Sequence, residues 1–299
     1  MEERPVFSDP LDRGIYWLAS YPKSGNTWVR MFLNAYASGF PVDGHMNSPF
    51  QFVHGDIYPA MMQVLSCRPV GILSNAEQFM IRPAQLLAMI NLHPSRSICL
   101  KTHNAKVNVE QIPVIPSVLS NKAIYIVRDP RDVCVSLADH FGQTLDEAIT
   151  FMCNQKQGHA QMGTNLVHIL STWSIHIGSW TINNKDVETL VIKYEDMLED
   201  PELYFTDMLR HFNIPLDQDK FSFALQQSSF ENLRRIEDED GFRELSKNSK
   251  SGKFFRVGKA NQWFDVLSRE QIQRIENDHY EVMERFDYQL AGSRLVTNV

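Results

Sequence analysis

I-Y-W-L-A-S-Y-P-K-S-G-N-T-W-V-R-M-F-L-N-A-Y, running from Ile15 to Tyr36, holds a strand, a turn and a helix in immediate succession. The apolar run Ile15–Ser20 predicts a buried strand. Pro22, Lys23 and Gly25 predict a turn, and a helix opens at Asn26 or Thr27. A strand feeding a helix through a Lys/Ser/Gly turn makes an anion site, because the helix N-terminus offers unpaired N–H groups and the positive end of its dipole. Lys23 adds a mobile charge, and Ser24 and Thr27 add hydroxyl donors. This is not the loop that binds nucleoside triphosphates: no glycine stands five residues before Gly25, and Lys23 precedes that glycine instead of following it. The turn therefore points to a different phosphorylated donor.

Outward from this segment, short runs rich in β-branched and aromatic residues predict three more strands, Ser97–Thr102, Ala123–Arg128 and Thr189–Tyr194. Helical periodicity fills the intervals: Thr27–Ala37, Arg131–Phe141, Leu145–Asn154 with Thr144 and Glu147 as a capping box, Asn165–Trp180, Pro201–Phe212 and Ser268–Phe286. Strands alternating with helices predict an α/β fold, a P-loop-like parallel sheet with helices on both faces. Ligands of such sheets bind beyond the C-terminal strand ends. With no Pro/Gly/Ser-rich linker, residues 1–299 read as a single domain with a core over 14–288. The polar, glycine-bearing stretch Glu237–Gly258 reads as a long mobile loop.

The chain is 299 residues long, 43% hydrophobic, with a net charge of −7. An acidic balance argues against a general nucleic-acid binder, so any anion site must be a local concentration of Lys and Arg. Cys67, Cys99, Cys134 and Cys153 show no C-x-x-C spacing and read as free thiols of a reducing compartment. The N-terminus is charged and unlike a signal peptide, and no apolar run approaches the ~18 residues of a membrane span. The expectation is a cytoplasmic protein without membrane attachment.

Two further blocks carry chemistry. Lys101-Thr102-His103 ends the second strand, and residues at i and i+2 of a strand share a face. Arg128-Asp129-Pro130-Arg131-Asp132-Val133-Cys134-Val135-Ser136 leaves the third strand and enters a helix at Pro130.

Tyr21-Pro22-Lys23-Ser24-Gly25-Asn26-Thr27-Trp28 closely resembles the 5′-phosphosulfate loop of the PAPS-dependent sulfotransferases, PAPS being 3′-phosphoadenosine 5′-phosphosulfate. Lys-Thr-His at the strand end, and the Arg and Ser at Arg128 and Ser136, resemble the same family. The likeness extends from about Ile15 to Tyr288. It implies His103 as general base, Lys23 against the leaving phosphate, Lys101 at the sulfuryl oxygens, and Arg128 with Ser136 on the 3′-phosphate. It further implies Trp28, Tyr194 and Phe230 around the purine, and Arg256 and Gly258 in the C-terminal phosphate block. There the chain departs from the family's Arg-Lys-Gly and Gly-Asp-Trp: Val257 replaces the lysine, and Asn261-Gln262 precedes Trp263. Lys253 and Lys259 are the candidates for the missing charge.

The resemblance implies transfer of a sulfuryl group to a hydroxyl or amine of a small-molecule or glycan acceptor, with PAPS as co-substrate and no metal. His168 and His176, eight apart on the anticipated helix, read as structural or surface residues. The alternatives are a nucleotide-dependent kinase using Asp129 and Asp132 for magnesium, and a non-catalytic binder of adenosine 3′,5′-bisphosphate (PAP). Pro41–Arg96 carries no readable pattern for the acceptor, and monomer and homodimer both remain open.

Overall fold

The computed structural model describes residues 13–39, 46–47, 52–156, 158–160, 167–182 and 186–291. Five parallel strands form the central sheet: β1 (Gly14–Ser20), β2 (Val53–Gly55), β3 (Ser97–Thr102), β6 (Ser120–Val127) and β9 (Glu188–Lys193), in the order β2-β3-β1-β6-β9. Two antiparallel ribbons lie outside it, β4 (Asn108–Val109) with β5 (Ile112–Pro113), and β7 (Gly158–Ala160) with β8 (Val167–Ile169). The helices are α1 (Asn26–Ser38), α2 (Pro59–Ser66), α3 (Asn75–Leu92), α4 (Pro130–Phe141), α5 (Leu145–Cys153), α6 (Trp173–Thr181), α7 (Tyr194–Glu199), α8 (Pro201–His211), α9 (Gln218–Gln227), α10 (Phe230–Asp240) and α11 (Arg269–Arg285).

All seven residues of β1 are buried, so the strand has no polar alternation. Its side chains divide between two cores. Ile15, Trp17 and Ala19 join α3, α4, α5, α6 and α11, whereas Tyr16 and Leu18 join α1, α7, α8, α9 and α10. A helical layer on each face is what a continuously apolar parallel strand requires. The parallel strands all point the same way, so Ser20, Thr102 and Val127 come together at one end of the sheet.

Four expectations change. β2 has only three residues and pairs with β3 at the sheet edge, too short to give a periodic signal. α2 and α3 lie within Pro41–Arg96, and the capping box of Ser74 and Glu77 that starts α3 is the local sequence sign of a helix there. The helix anticipated over Asn165–Trp180 begins only at Trp173, capped by Thr172. Ser171 adopts a left-handed φ of 59°, which interrupts helical winding, and its predecessors Val167–Ile169 pair as β8. His168 and His176 thus sit on different elements. Asn165 and Leu166, like the 1–12 segment, lie outside the described residues. Finally, Glu237–Asp240 of the anticipated loop forms the last turn of α10, with Glu237 buried.

Candidate active site

The turn between β1 and α1 has positive φ at Lys23 (67°) and Gly25 (103°). Glycine is required at 25, since a Cβ there would stand 2.6 Å from Cδ2 of Tyr194. No side chain caps α1, which leaves its first N–H groups for an anion. Ser24 is buried and Thr27 half-buried at this helix start. The Asn26 amide straps the turn down by donating to the Leu18 carbonyl (3.1 Å) and to Oγ of Ser20 (3.3 Å). Lys23 Nζ lies 3.9 Å from the centroid of the Phe254 ring. Burial, reinforced by the Arg128 charge, lowers its pKa to about 8.

Arg128 follows β6 and is 6% exposed. Its Nη1 donates to the Lys23 carbonyl (3.0 Å) and its Nη2 to the Lys259 carbonyl (3.3 Å). The guanidinium carbon sits 4.4 Å from the Tyr194 ring centroid. Its Nε is buried and has no partner among the described residues. Ser136 is half-buried further along α4. On the same helix the buried Asp132 accepts the N–H groups of Asn261 (2.7 Å) and Trp263 (3.1 Å). That carboxylate pins the C-terminal phosphate block to the start of α4, a role sequence reasoning missed.

The aromatic candidates divide by exposure. Trp28 and Phe230 are half-buried, whereas Tyr194 is 7% exposed behind Gly25 and Arg128. Gly258 has φ 65°, and a Cβ there would stand 2.3 Å from Cδ2 of Phe230, so backbone and ring are in direct contact. Arg256 donates from Nη2 to Gln262 Oε1 (2.6 Å), and its carbonyl accepts from Arg234 (2.9 Å). Of the two lysines considered for the charge absent at Val257, Lys253 is paired with Asp238, and Lys259 is exposed.

His103 lies just beyond β3. Its Nδ1 is 2.9 Å from the Ser20 carbonyl oxygen. A carbonyl only accepts, so Nδ1 carries the hydrogen and Nε2 keeps its lone pair, the tautomer a general base needs. Burial first, then Lys101 and His168, push the His103 pKa well below 6.5, which keeps the ring neutral. His176 Nε2 supports the backbone by donating to the His103 carbonyl (3.1 Å), and its Nδ1 accepts from the Tyr125 hydroxyl (2.8 Å). Behind the strand end, Asp56 Oδ2 accepts from Arg82 (2.6 Å), Thr102 (2.6 Å) and Asn104 (2.9 Å). These buried groups clamp Lys101-Thr102-His103, and the sequence offered no periodic sign of them because they come from distant segments.

The segment after α10 is held against the C-terminal end of β3, α1 and α4 by carboxylate anchors. Glu237 accepts the N–H groups of Phe254 (2.6 Å) and Phe255 (3.0 Å). Asp139 accepts from Ser251 through its N–H (3.1 Å) and hydroxyl (2.7 Å). Glu244 reaches Lys101 (3.2 Å) and Arg30 (2.6 Å).

The carboxylates a kinase would use for magnesium are already engaged. Asp129 is held by Arg131 (2.6 Å), and both oxygens of Asp132 accept backbone N–H groups. Among the described residues no His/Cys/Asp/Glu group of three or more is arranged to hold a metal ion, and no helix is long and apolar enough to cross a membrane.

Comparison with known proteins places the chain among sulfotransferases in sequence and in fold. The chain is similar to amine sulfotransferase of Oryctolagus cuniculus, 23% identical over 90% of this chain and 81% of the relative. It is 24% identical to flavonol 3-sulfotransferase of Flaveria bidentis, over 87% and 78% of the two chains. It is also 24% identical to cytosolic sulfotransferase 14 of Arabidopsis thaliana, over 93% and 75%. Among solved structures, retinol dehydratase in complex with androsterone and the inactive cofactor PAP shares the fold, with a TM-score of 0.62 and 18% identity over 94% of this chain and 84% of that one. The model of the sulfotransferase domain matches residues 15–287, and with that span covered the chain belongs to the sulfotransferase family.

Proposed function

We propose that this enzyme transfers a sulfuryl group from PAPS to a hydroxyl or amine of a small-molecule or glycan acceptor, in the cytosol. One observation carries the reading: parallel strands β1, β3 and β6 deliver Lys23, the Lys101/His103 pair and Arg128 to one end of the sheet. The residues present fit an anionic nucleotide with two phosphate groups. One subsite is the uncapped start of α1 with Lys23, Ser24 and Thr27; the other is Arg128, whose buried Nε still has a hydrogen to give, with Ser136 and Arg256. Trp28 and Phe230 supply half-buried aromatic faces for the purine.

PAPS supplies the activated sulfuryl group. Lys23 would neutralise the leaving phosphate and Lys101 the sulfuryl oxygens, where electrostatic preorganisation does most of the work. His103 Nε2 takes the acceptor proton, held in the right tautomer by the Ser20 carbonyl. The 241–258 segment closes over the donor and excludes water, a competing acceptor.

Calorimetry with PAP, AMP and magnesium-ATP tests the donor. PAP should bind far more tightly than the others, and equal or tighter binding of magnesium-ATP would overturn the assignment. A panel of phenols, steroids, amines and glycans with labelled PAPS then identifies the acceptor.

A further inference from the structure

Glu244 lies outside every motif considered above, yet its carboxylate stands at the catalytic strand end. One oxygen, Oε1, accepts from both Lys101 Nζ (3.2 Å) and Arg30 Nη1 (2.6 Å). Three elements meet there. Lys101 is on β3; Arg30 is on α1, one turn beyond Asn26 of the anion loop; Glu244 is on the segment that follows α10. Arg30 is 3% exposed and anchored in a helix, so it is a fixed point. Lys101, by contrast, ends in a flexible four-carbon stem that loses rotamer freedom when held.

We infer that Glu244 is a positioning residue for sulfuryl transfer: it docks the closing segment onto Arg30 and holds the Lys101 ammonium at the reacting centre. The inference rests on the proposed role of Lys101 in PAPS-dependent transfer. Two cations around one carboxylate leave the cluster positive, so Glu244 orients Lys101 without cancelling the charge an anionic donor needs. Closure of the segment and completion of the catalytic set thereby become one event.

The charge has a second consequence. The groups facing Lys101 are Glu244 from the closing segment, Arg30 from α1, Asp56 beyond β2 and His103 beyond its own strand. Burial lowers the Lys101 pKa, Glu244 opposes this, and Arg30 adds to it. Without the Glu244 charge the lysine loses its proton at lower pH.

The test compares wild type with E244Q and E244A, using the best acceptor from the PAPS panel. E244A should lose on the order of 10- to 100-fold in kcat, the scale of a misplaced catalytic group, while PAP affinity by calorimetry changes only a few-fold. E244Q keeps shape and loses charge, so the alkaline limb of its kcat profile should move to lower pH, through Lys101 and also through Lys23, whose pKa Glu244 likewise raises. A part with a merely structural role would lower Tm and leave that limb in place. Wild-type kcat with an unmoved limb in E244Q overturns the inference, as does faster turnover, which would make the contact an inhibitory latch. Should E244A fail to fold, E244Q decides alone. A wild-type protein that does not turn over PAPS refutes the functional reading instead, which keeps the two failures distinct.

Discussion

Arg128 Nη1 donates a hydrogen bond to the carbonyl oxygen of Lys23 across 3.0 Å. The donor and acceptor are 105 residues apart in sequence, and the bond sets the spacing between the phosphate loop on β1–α1 and the arginine at the end of β6. The Tyr194 ring completes the joint, touching Gly25 on one side and the Arg128 guanidinium on another. Under the proposed function, two anion subsites held at a fixed separation would select a ligand with two phosphates at the matching distance.

Arg128→Ala should therefore weaken PAP binding by about 10- to 100-fold, the ~1.5–3 kcal/mol of a charge-assisted contact. Ser136→Ala should have a smaller effect in the same direction. Because a held phosphate is gripped alike in ground and transition state, KM for PAPS should rise more than kcat falls. A loss of kcat with unchanged donor affinity contradicts the assignment.

Lys23 should make nucleotide binding sensitive to alkaline pH. Its pKa in the free protein is about 8, lowered by burial and by Arg128, so the ammonium form prevails below that value. A bound anion favours the charged lysine, and affinity should therefore fall as pH rises through 8 and beyond. Calorimetry above pH 8 in buffers of different ionisation enthalpy should detect proton uptake on PAP binding, absent in Lys23→Arg. The nucleotide phosphates, with a second pKa of about 6, are already ionised there and do not mask it.

His103→Ala should reduce turnover by ~10²–10⁴-fold with PAP affinity nearly unchanged. The active form is the neutral ring, and burial, Lys101 and His168 hold its pKa well below 6.5. Wild-type kcat/KM should stay level as pH falls to 6.5 and decline only below it. Retention of more than a tenth of wild-type turnover in the variant removes His103 as the base.

Asp56→Asn should destabilise the fold without removing any group assigned to the nucleotide. The Asp56–Arg82 pair is about 2% exposed on both sides, and breaking a buried pair costs ~3–5 kcal/mol. Burial alone would raise the Asp56 pKa, but Arg82, His168 and the Thr102 hydroxyl outweigh it and bring it from 3.8 to about 2. The folded pKa lies below the unfolded one, so this stabilisation is complete above pH 3.8 and lost as pH falls through about 2. Urea midpoints between neutral and acid pH should converge for wild type and variant at the acid end.

The 241–258 segment should exchange its amide hydrogens faster without nucleotide than with PAP. Its contacts to the body combine carboxylate anchors at Asp139, Glu237 and Glu244 with the rings of Phe242, Phe254 and Phe255 packed at one core, and the residues between them are mostly polar and exposed. Glu237→Gln, which weakens the hold on Phe254 and Phe255, should raise exchange in the free protein and leave the PAP complex closer to wild type. Identical exchange with and without PAP removes closure from the mechanism.

Much of the architecture was legible because it is local. The β1 run is apolar throughout, and Thr144 with Glu147 forms the capping box anticipated for α5. α4 starts at Pro130, as its proline indicated. What failed to register was either short or masked by competing periodicity. β2 has three residues, and the apolar spacing around Val167–Leu170 imitates a helix although Ser171 and Thr172 place its start at Trp173. The acidic run from Glu237 read as loop because composition hides that Glu237 turns inward to accept two backbone N–H groups.

The sequence by itself determined the class of chemistry. A lysine and glycine at a strand-to-helix turn, a Lys-x-His strand end and an arginine leaving a strand each follow from a few neighbouring residues. Tertiary structure alone decided how these groups are tuned and secured. The His103 tautomer depends on the Ser20 carbonyl, the lowered Lys23 pKa on burial beside Arg128, and the placement of Lys101 on Glu244, 143 residues further along the chain. Desolvation and hydrogen-bond partners are properties of what the fold brings close, and no local pattern of residues encodes them.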